Sequence, residues 1–218
     1  MKARQHYLNQ IESSGIIAVI RADNANQAVD ICHALADGGV VAWEIAMTTP
    51  GALKAIERVA DSIGERGVLG VGTVLDSETA VAAIHAGAKF IFSPIVNTDV
   101  IAAAHRYDRL VVPGALTPTE IATAWAAGAD LVKVFPANHF GPSYLKDIHG
   151  PLPFVRMTPT GGVDLQTAPA WIEAGAVALG VGSSLVKKEF LKSSNWGALS
   201  QLASEYIRVV KETRTRLG

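Results

Sequence analysis
The chain has 218 residues, with 19 Lys and Arg against 20 Asp and Glu, for a formal net charge of −1. Its 49% hydrophobic and 18% charged residues suit a packed core and exclude a disordered chain. The even charge offers nothing to nucleic acid or an anionic membrane, and the single cysteine, Cys32, excludes a disulfide framework or a Cys-rich metal site.

Residues 1–6 lead into a polar amphipathic stretch rather than the apolar centre of a signal peptide. No apolar run reaches the roughly 18 residues of a membrane span, so a soluble, cytoplasmic protein is expected. Strand-like apolar runs follow at 16–20, 41–46, 68–73, 89–93, 110–113, 131–135, 154–160 and 177–181. Helical patterns fall between them at 25–36, 50–63, 77–85, 98–105, 117–126 and 165–173, and a last helix is predicted over 195–217. Strand and helix in alternation mean parallel pairing through βαβ units. Eight such units in roughly 200 residues predict a single (β/α)8 TIM barrel of the α/β class with an N-terminal helix. An open doubly wound sheet is the structural alternative. No Ser- or Pro-rich linker interrupts the chain, so residues 1–218 are read as one domain.

Two features punctuate the pattern. Gly39, Gly87, Gly128 and Gly175 each stand just before every second strand, where a left-handed turn ends a helix. Asn24, Thr49, Asp76, Thr117 and Asp164 offer side chains that begin helices.

Strands buried on both faces should be apolar throughout. Two break this rule, with Glu44 in the second strand and Lys133 in the sixth. Side chains alternate along a strand, so Ala42, Glu44 and Ala46 share a face, as do Leu131, Lys133 and Phe135. If both faces point inward, the small alanines leave a cavity holding one acid and one amine near the strand ends, where barrel enzymes work. A snorkelling lysine or a buried ion pair is the plainer reading. The functional reading has a mechanism: burial disfavours the ammonium, and a neutral amine attacks a ketone to form a Schiff base. Glu44 would then move protons at the carbinolamine oxygen and at the carbon beside the imine.

The seventh strand ends in Thr-Gly-Gly at 160–162 and the eighth in Gly-Val-Gly-Ser-Ser at 180–184. Gly-Gly after a strand is by itself a tight turn. Two such loops at the seventh and eighth positions match the phosphate site common in barrels, with backbone N–H groups and Ser183 as donors. Thr73 ends the third strand and offers a hydroxyl to a carboxylate, while Arg21 ends the first and reads equally as an anion ligand or a solvated cap. The six histidines show no metal-ligand spacing, so no metal or other cofactor is expected.

A series of motifs runs in order: W-E-I-A-M-T-T-P at 43–50, G-V-G-T at 70–73, S-P at 93–94, P-G-A-L-T-P-T-E at 113–120, V-K-V-F-P-A at 132–137 and P-T-G-G-V at 159–163. Across roughly residues 15–190 the series resembles the 2-keto-3-deoxy-6-phosphogluconate (KDPG) aldolase / 4-hydroxy-2-oxoglutarate aldolase family. The resemblance implies a metal-independent class I aldolase, a homotrimer, that reversibly cleaves KDPG to pyruvate and glyceraldehyde 3-phosphate in Entner–Doudoroff metabolism. Carried over by motif, Lys133 would form the Schiff base and Glu44 would be the general acid/base. Thr73 would contact the pyruvate carboxylate, Pro94 and Phe135 would shape the pocket, and Gly161, Gly162 and Ser183 would take the phosphate. Some members carry an arginine four residues after the glutamate. Here Thr48 stands there and offers a hydrogen bond without charge, which leaves Arg21 to supply the positive field. The siblings that remain in play cleave the phosphogalactonate epimer or 4-hydroxy-2-oxoglutarate, or decarboxylate oxaloacetate.

Overall fold
The computed structural model describes residues 3–218. Its strands are β1 (Ile16–Ile20), β2 (Ala42–Ala46), β3 (Val68–Gly72), β4 (Phe90–Phe92), β5 (Leu110–Val112), β6 (Gly114–Ala115), β7 (Val132–Val134), β8 (Met157–Pro159) and β9 (Leu179–Val181). Every pairing between them is parallel. Six strands form one curled sheet in the order β5-β4-β3-β2-β1-β9, and β6-β7-β8 form a second. The expected fifth strand, 110–113, stops as β5 at Val112, because the ring of Pro113 removes the N–H that a longer ladder would use, and a short β6 that the sequence pattern did not mark follows it. The chain nevertheless carries on across the break: Asp130 N donates to Val111 O at 3.1 Å and Lys133 N to Pro113 O at 2.9 Å. On the other side a single parallel bridge joins Thr160, just past β8, to Gly180 of β9.

The helices follow the expected order: α1 (Ala3–Ser14), α2 (Ala25–Asp37), α3 (Ala52–Ile63), α4 (Ser77–His85), α5 (Thr98–Arg106), α6 (Pro118–Ala126), α7 (Gly141–His149), α8 (Ala168–Glu173), α9 (Lys188–Ser193) and α10 (Trp196–Leu217). The Asn24, Asp76 and Thr117 side chains accept from backbone amides three residues on, and Thr117 with Glu120 closes a capping box. Thr49 does not cap: α3 begins after Gly51 in a left-handed conformation, and the Thr49 hydroxyl is buried instead. Helices α7, α8 and α9 have no side-chain cap; Asp164, expected to begin α8, instead accepts from the amides of Gln166 and Thr167 ahead of it. Gly39, Gly87, Gly128 and Gly175 all have the positive φ expected of helix ends.

Alternation along the strands divides the core in two. Ile17, Ala42, Val68, Phe90, Leu110, Leu131 and Ala178, all at strand beginnings, form an inner cluster. Their neighbours Ile16, Ala18, Trp43 and Leu69 face outward into the larger layer beneath the helices. Leu8 and Ile11 of α1 join the inner cluster, and α1 packs against β1, β2, β3 and β5. The helix therefore covers the amino ends of the strands. Arg4 holds it by an ion pair to Asp130 at 3.1 Å. At the other end of the chain, the Arg214 guanidinium of α10 donates to the carbonyls of Glu12, Ser13 and Val177 at 2.7, 3.1 and 2.7 Å. The carboxyl ends of the strands are left for the site.

Candidate active site
A cavity of about 270 Å³ opens at the carboxyl ends of the strands. Of the residues singled out in the sequence, it gathers Glu44, Lys133, Arg21, Thr73, Pro94, Phe135, Gly161, Gly162 and Ser183. Thr48 is not brought in; it is exposed in the turn after β2 and does not line the cavity. The cavity also takes in Val19, which the sequence does not point to, and Thr160, Val163, Gly180, Gly182 and Ser184 of the two glycine-rich stretches, which the sequence reads as a phosphate site without giving these residues roles of their own. Register offered a signal for Val19, which pairs directly with Glu44 and so shares its inward face. Thr160 and Gly180 are bridge partners, so either one implies the other.

The pair at the centre is buried: Glu44 is 2% exposed and Lys133 6%. Burial lifts the Glu44 carboxyl to about 7, against the opposing pull of Lys133 and then Arg21. Burial also lowers Lys133, a shift that Glu44 opposes and Arg21 reinforces. The two groups titrate as one system, so each proton lost belongs to the pair. The Lys133 ammonium lies 4.3 Å from the centroid of Phe92 and 4.5 Å from that of Phe135. These rings supply quadrupole attraction in place of water, and they keep water from the amine. Glu44 Oε2 has no hydrogen-bond partner, an uncommon state for a buried carboxylate oxygen and one expected of a group waiting for substrate.

Glycine makes room for this acid. A Cβ on Gly72 would overlap the Glu44 carboxylate, so β3 passes close beneath it only because the side chain is absent. The next residue, Thr73, has φ 62°, a left-handed conformation that a β-branched residue rarely adopts, at a cost of ~1–3 kcal/mol. Ser93 braces the strained turn: its hydroxyl donates to Val74 O at 2.7 Å and to Ile95 O at 2.9 Å. The Ser-Pro motif is thus half support and half lining, with Pro94 in the cavity.

The rim opposite is made by two glycine-rich loops. Gly161 and Gly162 have φ of 98° and 72°, which turn the backbone sharply after β8. Gly182, Ser183 and Ser184 follow β9. At their glycines the loops bring backbone close to the cavity with no side chain in the way, a geometry suited to an anion. Arg21 and Ser183 are exposed at this mouth.

Parallel strands, a buried amine beside a buried acid and an anion-suited rim together define an α/β lyase of the lysine-dependent aldolase class. A family model described as "Aldolase: KDPG and KHG aldolase" matches residues 8–202. The chain belongs to that family. It is 35% identical to the 2-dehydro-3-deoxy-6-phosphogalactonate aldolase of Escherichia coli over 79% of this chain and 84% of that protein. It is 32% identical to the 2-dehydro-3-deoxy-phosphogluconate aldolase of Pseudomonas aeruginosa over 91% and 90%. Among solved structures, the KDPG aldolase of Legionella pneumophila, with pyruvate captured as a covalent carbinolamine, superposes with a TM-score of 0.82 at 28% identity, covering 90% of this chain and 96% of that one.

Proposed function
We propose that this chain cleaves KDPG reversibly to pyruvate and glyceraldehyde 3-phosphate, with Lys133 as the Schiff-base lysine and Glu44 as the general acid/base. The observation that carries this reading is the shared cavity of a buried, acid-shifted amine and a buried, base-shifted carboxyl. Lys133 attacks the C2 ketone and water leaves, giving a protonated imine that accepts electrons. Glu44, directly or through one water, takes the C4 hydroxyl proton. The C3–C4 bond breaks, the aldehyde departs, and protonation of the enamine at C3 followed by hydrolysis frees pyruvate. A carboxyl poised near 7 both accepts and returns a proton at neutral pH. Thr73 and Arg21 hold the carboxylate end, Pro94 and Phe135 wall the reacting carbons, and Gly161, Gly162 and Ser183 hold the phosphate. Thr48 has no part in this assignment.

The same reading takes residues 1–218 as one domain and the two sheets as one closed eight-stranded barrel. The bonds across Pro113 and the Thr160–Gly180 bridge support closure at both seams. A homotrimer is in keeping with Leu75, Ile95 and Phe140, large apolar side chains at 50%, 46% and 51% exposure. No helix among the described residues is long and apolar enough to cross a membrane, which accords with a cytoplasmic enzyme of Entner–Doudoroff metabolism.

The second reading is the phosphogalactonate sibling, favoured by the 35% identity to an enzyme of that name. Borohydride reduction in the presence of pyruvate, followed by intact mass and peptide mapping, tests the shared chemistry. One reduced pyruvate adduct on Lys133 is expected. A folded protein saturated with pyruvate that gives no adduct would remove the imine mechanism. Assays of the two phosphorylated epimers side by side separate the siblings.

A further inference from the structure
Asp130 stands in the turn between α6 and β7, just ahead of Lys133 on the chain, and does not line the cavity. Its side chain is 9% exposed. One carboxylate oxygen accepts from Val111 N of β5 at 2.9 Å, and the other meets Arg4 of α1 at 3.1 Å. His105 of α5 approaches the first oxygen at 3.7 Å. Val111 meets Asp130 twice, since its carbonyl accepts from Asp130 N at 3.1 Å. The next bond along this seam runs from Lys133 N to Pro113 O at 2.9 Å. Between these two backbone bonds one segment advances from 130 to 133 while the other advances only from 111 to 113. An extra residue is therefore stored just before β7, as in a β-bulge, a device that re-aims side chains beside active sites.

Pro113 has no N–H to give, so the ladder is weakest where the bulge lies. The surroundings of the Lys133 amine come from both sides of this seam. Glu44 and Phe92 belong to the six-stranded sheet, and Phe92 pairs with Val112, the neighbour of Val111. Lys133 lies on β7 and Phe135 just past it. The 4.3 and 4.5 Å from the amine to the Phe92 and Phe135 rings therefore depend on how β5 and β7 are held together. We propose that Asp130 is a positioning residue for Lys133: by taking the Val111 amide, its carboxylate pins the bulge and holds the amine in the dry gap between Phe92 and Phe135. This rests on the reading of Lys133 as the Schiff-base lysine. Water admitted to that gap would relieve the burial that lowers Lys133, while Glu44 and Arg21, the charged groups that act on it, stay in place.

The rate of borohydride trapping of pyruvate on Lys133, followed against pH, reads the amine directly. Asp130→Ala removes the acceptor. Its profile is expected to move toward higher pH by about 1 unit, with trapping about tenfold slower at a pH below both midpoints. Asp130→Asn keeps an oxygen for the Val111 amide and loses the charge, and should stay within about 0.3 unit of wild type. Arg4→Ala cuts the ion pair alone; it should lower the unfolding temperature and leave the profile unmoved. An unmoved profile in folded Asp130→Ala, or the same shift in Asp130→Asn or Arg4→Ala, overturns the positioning role. If Asp130→Ala does not fold, Asp130→Ser, whose hydroxyl falls one bond short of the Val111 amide, decides by the same shift. A folded wild-type enzyme that gives no adduct would remove the reading of Lys133 itself, and this role with it.

Discussion

Glu44 and Lys133 stand on strands of different sheets, β2 and β7, yet each favours the charged form of the other across the cavity. Burial works against both charges and is the larger effect on each. The Glu44 carboxyl, lifted to about 7, therefore gives and takes a proton readily at neutral pH, while burial eases the loss of the Lys133 proton. A reversible aldol cleavage needs that balance, because acid and base exchange roles between the two directions.

The balance has a signature in stability. The Glu44 carboxyl is raised from 4.5 to about 7 on folding, so its contribution is fully present below pH 4.5 and is lost as pH climbs through 7. Glu44→Gln escapes that loss. Relative to wild type, the variant should gain on the order of 2–3 kcal/mol between pH 4 and pH 8. Deeper depression of Lys133 without its counter-charge acts in the same direction. Urea unfolding at the two pH values reads the difference. An equal offset at both would contradict the assigned burial of charge. In activity, the same variant should be slower by about 10²–10⁴.

Arg21 lowers both members of the pair. Arg21→Ala should move the pH profile of pyruvate trapping toward higher pH, because the Lys133 amine is then harder to deprotonate. KM for pyruvate should rise as well. A profile and KM that match wild type would return Arg21 to the solvated cap that its exposure also allows.

Gly72→Ala places a methyl group where the Glu44 carboxylate lies. Overpacking of this kind typically costs about 1–3 kcal/mol. The carboxylate must move to relieve it, so kcat should fall by at least about tenfold while the Lys133 adduct still forms. Loss of the adduct together with kcat would show that the damage reaches beyond Glu44.

Arg214→Ala tests the opposite end of the molecule. It leaves the carbonyls of Glu12, Ser13 and Val177 without their shared donor. A loss of about 2–4 kcal/mol is expected, with kcat at saturating substrate unchanged in the folded fraction. Thermal unfolding and titrated activity together separate the two effects.

The parts of the site that sequence made legible were those that violate a local rule. Glu44 and Lys133 stand out because charge interrupts apolar strands; alternation groups each with its face neighbours, and the fold turns both faces into one cavity. The glycine loops stand out by composition and ordinal position. Val19 does not, because it is ordinary in its own strand and gains meaning only from its register with Glu44. Thr48 shows the reverse fault. It was singled out by its distance from Glu44 in sequence, but the turn after β2 points it to solvent. The two-residue β6 past Pro113 is too short to leave an apolar run of its own, so the sequence does not mark it.

Helix α1 closes the amino ends of the strands with Leu8 and Ile11, while Gly162 and Ser183 lie exposed at the opposite rim. Everything that reaches Lys133 must then arrive and depart through one mouth. With the substrate placed as proposed, its carbonyl end on Lys133 and its phosphate at the rim, departure has a forced sequence: the phosphorylated aldehyde first and pyruvate last. In the synthetic direction pyruvate must load before the aldehyde, and an aldehyde bound too early blocks its partner's path. Substrate inhibition by aldehyde, competitive with pyruvate, is the kinetic trace that a barrel with a sealed floor should leave.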